Sequence, residues 1–140
     1  MVLYNCGKLI VKTSTIPNSG FGVFATEDIK TGEILEECPY IPFIMEDGSK
    51  LFEDYRFYVN KEKKEVAIVL GYGSMFNSLP EKRNSMWVPP FTPKNILFEN
   101  KTIQLTREYI DCFTFFAVRD IKKGDEIFLN YHGSSFREKK

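Results

Sequence analysis

Residues 116–131, Phe-Ala-Val-Arg-Asp-Ile-Lys-Lys-Gly-Asp-Glu-Ile-Phe-Leu-Asn-Tyr, carry a nearly apolar run that ends on Asn130-Tyr131. A hydrophobic strand is an awkward place to finish on a phenol unless the hydroxyl of Tyr131, both donor and acceptor, has a use. The plain alternative is a tyrosine that caps a strand. Upstream, Gly20 and Gly22 flank Phe21. They are either ordinary turn glycines or a stretch of bare backbone that something must approach closely. Asn77 is either a polar ligand or a turn residue. His132 is the sole histidine and reads as an exposed loop residue, since one histidine cannot build a zinc site. Cys6, Cys38 and Cys112 lack Cys-x-x-Cys spacing, so they read as scattered reduced thiols.

The elements that must position these residues are mostly short strands. Phe113, Phe115 and Ala117 alternate with Thr114, Phe116 and Val118, a run apolar on both faces. Residues 120–124 supply a turn and residues 125–131 a second strand, so this stretch reads as strand, tight turn, strand. Its recipe occurs twice: Phe24, Ala25, Asp28, Ile29, Lys30 and Gly32 recur as Phe116, Ala117, Asp120, Ile121, Lys122 and Gly124 at constant spacing. Two copies are too few for a solenoid. Residues 49–59, with Leu51, Phe52, Tyr55 and Val59 apolar and Ser49 as N-cap, predict a short helix. Pro39 and Pro42 make residues 38–43 an irregular or edge segment. Residues 96–105 read as a hairpin with Asn100-Lys101 at its tip. About ten strands and little helix predict a mainly β domain.

The 140 residues make one domain, able to bury roughly 70% of its unfolded surface. Hydrophobic residues are 43% and 13 are Phe, so a core is available. Lys+Arg and Asp+Glu are both 19, which argues against bulk electrostatic binding to nucleic acid. No apolar run approaches membrane-spanning length and the first residues lack a basic signal-peptide start. The expectation is a soluble intracellular protein without membrane attachment.

Gly20-x-Gly22-Val-Phe-Ala, Tyr55, Gly71-Tyr-Gly-Ser-Met-Phe-Asn77, and the closing Arg119-Asp-Ile-x-x-Gly-x-Glu-Ile-x-x-x-Tyr131 stand in a telling order. The chain resembles the SET-domain protein lysine methyltransferases, in particular the minimal stand-alone viral and bacterial members, over about residues 8–136. The resemblance implies a β-clip fold of small sheets with one or two short helices and a pseudo-knotted C-terminal segment threading beside Asn77. It makes residues 1–140 a single SET domain without pre-SET or zinc-binding post-SET modules. It also implies S-adenosylmethionine and a substrate lysine meeting in a narrow channel, with S-adenosylhomocysteine as product. The substrate is a protein or peptide lysine, with histones as one candidate. Carried over by position, Tyr131 is catalytic. Gly20, Phe21, Gly22, Tyr55, Asn77, Ser78 and Phe136 bind the cofactor, and Trp87, Leu129 and Tyr72 line the channel. No metal is implied.

The chain departs from the family pattern in three places. Ser78 stands where the family has histidine, which motivates the rival expectation of a weak or inactive module that binds a peptide or partner. Residues 89–106 look like an insertion. No cysteine-rich segment follows Tyr131 to close the channel, so either Phe136 folds over the adenine or a second subunit completes the wall, as in a homodimer.

Methyl transfer from sulfonium to amine is an in-line displacement that needs a neutral, aligned amine. At pH 7 a free lysine is neutral in about one molecule in 2,500, a cost near 4.6 kcal/mol. A dry aromatic channel lowers that cost by disfavouring the ammonium, and alignment supplies several kcal/mol more. In the family a hydroxyl two positions before the catalytic tyrosine often holds a water that crowds the amine. The resemblance puts Leu129 there, which cannot hydrogen-bond such a water, and so implies multiple methylation. The bulk of Trp87 works against it.

Overall fold

The computed structural model describes residues 2–105 and 110–131. Twelve short strands build it: β1 (Leu9–Thr13), β2 (Phe21–Ala25), β3 (Ile34–Cys38), β4 (Tyr40–Ile44), β5 (Arg56–Asn60), β6 (Glu65–Val69), β7 (Asn77–Ser78), β8 (Ser85–Val88), β9 (Asn95–Phe98), β10 (Lys101–Gln104), β11 (Phe113–Ala117) and β12 (Phe128–Leu129). They form five small sheets. Two 3₁₀ turns, Tyr72–Met75 and Pro80–Lys82, are the helical elements among the described residues.

The alternation along β11 does what its pleat requires. Phe113, Phe115 and Ala117 enter one core with Val23, Leu35, Phe57, Phe76 and Trp87. Phe116 enters a second core with Met86, Val88, Ile96 and Ile103. β11 is therefore the middle strand of β3-β11-β8, wet on neither face. Burying each phenylalanine contributes on the order of 1.5–3 kcal/mol. The β9–β10 hairpin, part of the expected insertion, supplies Ile96 and Ile103 to the second core. Its tip falls at Glu99-Asn100, both at positive φ.

The repeated recipe is not two independent hairpins. β11 and β12 do not pair with each other; β12 runs parallel to β7, and the two turns clasp one another. Ile29 N donates to Ile121 O at 2.8 Å and Ile121 N returns the bond to Ile29 O at 2.7 Å. Gly32 N reaches Ala117 O at 2.7 Å while Gly124 N reaches Ala25 O at 2.8 Å. Thr31 N donates to the Asp120 carboxylate and Lys123 N to that of Asp28, each at 2.9 Å. Each of these backbone-donated bonds has its counterpart in the other copy, so the recipe recurs because each turn is the other's partner, as in an isologous contact.

The clasp delivers the C-terminal strand. Ile127 N donates to Val23 O, and β12 then lies beside β7 with Phe128 opposite Asn77 and Leu129 opposite Ser78. Asn84 locks it in place: its Oδ1 accepts from Phe128 N at 2.8 Å and its Nδ2 donates to Glu126 O at 2.9 Å. This is the threaded C-terminal segment that the resemblance implied.

The helix expected over residues 49–59 is absent. Residues 49–50 are irregular, 51–55 form turns, and β5 follows. Phe52 takes a left-handed φ of 52°, which ends helical progress, and the Arg56 guanidinium folds back onto Leu51 O and Ser49 O. Pairing with β6 then claims Arg56–Asn60 as strand. Residues 38–43 are less irregular than expected, since β4 pairs with β6 through all five residues, but β4 is an edge strand, where a proline is tolerated.

Candidate active site

Only Asn130 separates Tyr131 from the end of β12, and two bonds set its position. Its backbone N–H donates to Ser78 Oγ at 3.1 Å, and its hydroxyl donates to the Phe76 carbonyl oxygen at 2.7 Å. Phe76 is itself fixed, buried completely and packed edge-on against Phe115 with ring centroids 5.4 Å apart. The segment leading to Phe76 can lie there because Gly73 has no side chain: a Cβ on it would fall 2.3 Å from the Phe115 ring. Glu36 holds the start of the same segment, accepting from Tyr72 N at 2.9 Å and Gly73 N at 3.3 Å.

Tyr131 remains 40% exposed as a residue and faces a cleft of about 490 Å³. Among the described residues the cleft is lined by Glu53, Asp54, Arg56, Phe57, Tyr58, Trp87 and Tyr131. Phe57 meets Trp87 edge to face at 5.2 Å, giving one wall aromatic rigidity. Three lining residues come from β5, which among the described residues is an edge strand paired with β6. Burial pushes the Tyr131 phenol above its ordinary 10.0, and Tyr55 and the Asp54 carboxylate add to the effect. Tyr131 is therefore a neutral phenol at physiological pH, a hydrogen-bonding group rather than a base.

The second half of the site surrounds Glu126, only 4% exposed. Its carboxylate accepts from Ser14 Oγ at 2.8 Å, Thr15 N at 2.8 Å, Thr15 Oγ1 at 2.6 Å and Asn77 Nδ2 at 3.0 Å. Burial alone would raise its pKa, but the donors from Thr15, Asn77 and Ser14 together hold it below its ordinary value. Gly22 is bare because of this carboxylate: a Cβ there would lie 2.2 Å from Glu126 Oε2. Asn77 Nδ2 also donates to Phe21 O at 3.1 Å, so the amide nitrogen is fully engaged and Oδ1 is left as acceptor.

The expected residues thus divide. Gly20, Phe21, Gly22 and Asn77 cluster around Glu126, with Gly20 at a φ of 69° and Phe21 64% exposed. Ser78 holds the backbone of Tyr131. Tyr55 is 58% exposed and near enough to perturb Tyr131. Trp87 lines the cleft and its buried indole N–H has no hydrogen-bond partner among the described residues. Leu129 and Tyr72 are not among the lining residues: Leu129 is wholly buried in the main core and Tyr72 packs against it. Phe136 and His132 lie outside the described residues. Sequence reasoning passed over Glu126, although it sits inside the closing signature, and Asn84, whose only signal was polarity in a loop.

The SET domain family model matches residues 20–132, from Gly20 to just past Tyr131. The chain belongs to the SET-domain family. Among solved structures, a Plasmodium falciparum protein provisionally named a histone methyltransferase is 26% identical, with a TM-score of 0.63 over 91% of this chain and 95% of that one. Two structures of Polycomb Repressive Complex 2 from Chaetomium thermophilum share the fold at 22% identity and a TM-score of 0.61. One is bound to an inhibitor and the other, autoinhibited, to S-adenosylmethionine; the match covers 90% of this chain but 15% of theirs. No curated protein matches by sequence. Among the described residues no helix is long and apolar enough to cross a membrane, and no cluster of His, Cys, Asp or Glu could hold a metal ion.

Proposed function

We propose that this chain is an S-adenosylmethionine-dependent methyltransferase acting on the ε-amine of a protein lysine. The observation that carries the proposal is the Tyr131 hydroxyl, pinned to Phe76 O and facing a cleft walled by Phe57 and Trp87. Family membership and the S-adenosylmethionine-bound relative support the choice of cofactor. The donor set supports it too: Asn77 Oδ1 is an acceptor suited to an α-ammonium, and exposed Phe21 offers a ring face beside it.

When bound, S-adenosylmethionine supplies a methyl group on a positively charged sulfur. The protein's own residues do the rest. The Tyr131 O–H donates its hydrogen bond to Phe76 O, which leaves its lone pairs to accept from an amine N–H and so aim the nitrogen. Phe57 and Trp87 exclude water, which disfavours an ammonium and favours the neutral nucleophile. Glu53 and Asp54 outnumber Arg56 along the cleft, so the approach favours a cationic lysine and basic neighbours. Among the described residues β5 is an edge strand, and such an edge offers backbone groups to an extended peptide. Histones are the first proteins to try.

Ser78 in place of the family histidine does not favour an inactive module, because its hydroxyl holds Tyr131 in register. Calorimetric titration with S-adenosylmethionine tests the proposal: saturable one-to-one binding supports it, and no binding overturns it.

A further inference from the structure

Glu126 is the largest feature of the site that the chemistry above leaves without a task. Its side chain meets three stretches that are remote in sequence. Its donors Ser14 and Thr15 are 112 and 111 positions away, and Asn77 is 49 away. Gly22 supplies the space. The carboxylate offers about four lone-pair directions, and four donors meet it. Ser14 Oγ also accepts from Ile16 N at 3.0 Å, so the order imposed by the carboxylate passes along the loop that leads to Gly20 and Phe21. On the other side the carboxylate and Phe21 O together hold Asn77 Nδ2, which sets the way that amide faces. A neutral amide at position 126 would aim its own NH₂ at one of these donors and leave Phe21 O as the remaining acceptor for Asn77 Nδ2.

We propose that Glu126 is the positioning residue of the cofactor pocket: it anchors residues 14–16 and, together with Phe21 O, holds Asn77 Nδ2 so that Oδ1 is left as the acceptor. Resting on the methyltransferase reading, this assigns Glu126 no contact with the reacting atoms. It acts through Asn77 and the loop, so its loss falls on cofactor affinity and leaves the transfer step largely intact.

The test is calorimetric binding of S-adenosylhomocysteine to wild type, Glu126→Gln and Glu37→Gln, with steady-state kinetics alongside. Glu37 is the matched control, a buried carboxylate that accepts from Tyr4 N at 2.8 Å away from the pocket. The expected result is affinity weakened roughly tenfold or more in Glu126→Gln and unchanged in Glu37→Gln. The KM for S-adenosylmethionine should rise by a similar factor while kcat stays within about threefold. In the cofactor-free protein, amide exchange at Thr15 should accelerate in Glu126→Gln alone. If Glu126→Gln does not fold, the Ser14→Ala/Thr15→Val double variant removes two donors while keeping the carboxylate, and a loss of affinity is again expected. Wild-type binding with undiminished affinity in the folded variant overturns the proposal by itself. No binding by wild type overturns the methyltransferase reading as well.

Discussion

Across 55 positions of sequence, the Tyr131 hydroxyl donates to the Phe76 carbonyl at 2.7 Å. The bond joins the end of the C-terminal strand to the segment before β7, the two pieces that β12 and β7 bring side by side. A phenol held this way cannot swing with the chain end, and its remaining lone pairs have one direction to face. The same pairing puts Ser78 Oγ under the Tyr131 N–H, so backbone and hydroxyl are fixed independently.

Tyr131→Phe removes the hydroxyl while leaving the ring and the Ser78 contact. Turnover should fall by at least about 10²-fold, the scale of losing a positioned catalytic group, with the circular dichroism spectrum unchanged. Near-normal methylation by the folded variant would remove Tyr131 from the mechanism.

Methylation should accelerate with pH, because the neutral fraction of the substrate lysine grows about tenfold per pH unit below its pKa. The Tyr131 pKa is raised above 10.0, so the phenol keeps its proton throughout that range and imposes no falling limb. A kcat/KM profile from about pH 6.5 to about 10 checks this. A downturn near neutrality, lost in Tyr131→Phe, would show that Tyr131 ionises and acts as a base.

Trp87, not Leu129, should govern how many methyl groups are added. Leu129 is sealed in the core, while Trp87 lines the cleft with Phe57. Trp87→Phe enlarges the space around the amine, so the product should move toward di- and trimethyl-lysine in mass spectra at long reaction times. An unchanged product distribution would assign the limit to another wall.

Glu126 should make stability acid-sensitive. Its folded pKa lies below its ordinary 4.5, so the fold favours the charged form. That stabilisation is complete above about pH 4.5 and is lost as pH falls through the folded pKa. Glu126→Gln should lower stability at neutral pH by about 1–3 kcal/mol, the cost of disrupting a buried hydrogen-bonded group. Its denaturation free energy should then vary less with pH on the acid side than that of wild type. Parallel acid limbs would show that the carboxylate is not what titrates.

Ile29 and Ile121 exchange both backbone bonds at the centre of the clasp, and each is 1% exposed. Either alanine substitution should cost about 2–5 kcal/mol, and the double variant less than the sum because the two residues form one unit. Denaturant titration of the three variants is the measurement, and strict additivity would mean that the turns are independent.

The parts legible in the sequence are those set by local period or by repetition. Alternation along Phe113–Ala117 announced a strand buried on both faces, since the pleat enforces a period of two. The repeated Asp-Ile-Lys turns announced themselves as well, though not that they would bind each other. Tertiary pairing defeated the helix expected at residues 49–59: spacing of Leu51, Phe52 and Tyr55 fits a helix, but β6 captures Arg56–Asn60. Glu126 was illegible as a site residue because its partners Ser14, Thr15 and Asn77 are far away in sequence and meet it only after the C-terminal strand has threaded past β2. Gly22 shows the limit from the other side. Its bareness was legible, but the group that needs the space is a carboxylate of the chain itself.

The most direct test incubates the purified protein with histones and methyl-labelled S-adenosylmethionine, and locates the label by mass spectrometry, with Tyr131→Phe in parallel. The account predicts label on lysine ε-amines with wild type and loss of nearly all of it with Tyr131→Phe. Label on another residue type, or equal labelling by the two proteins, would contradict it.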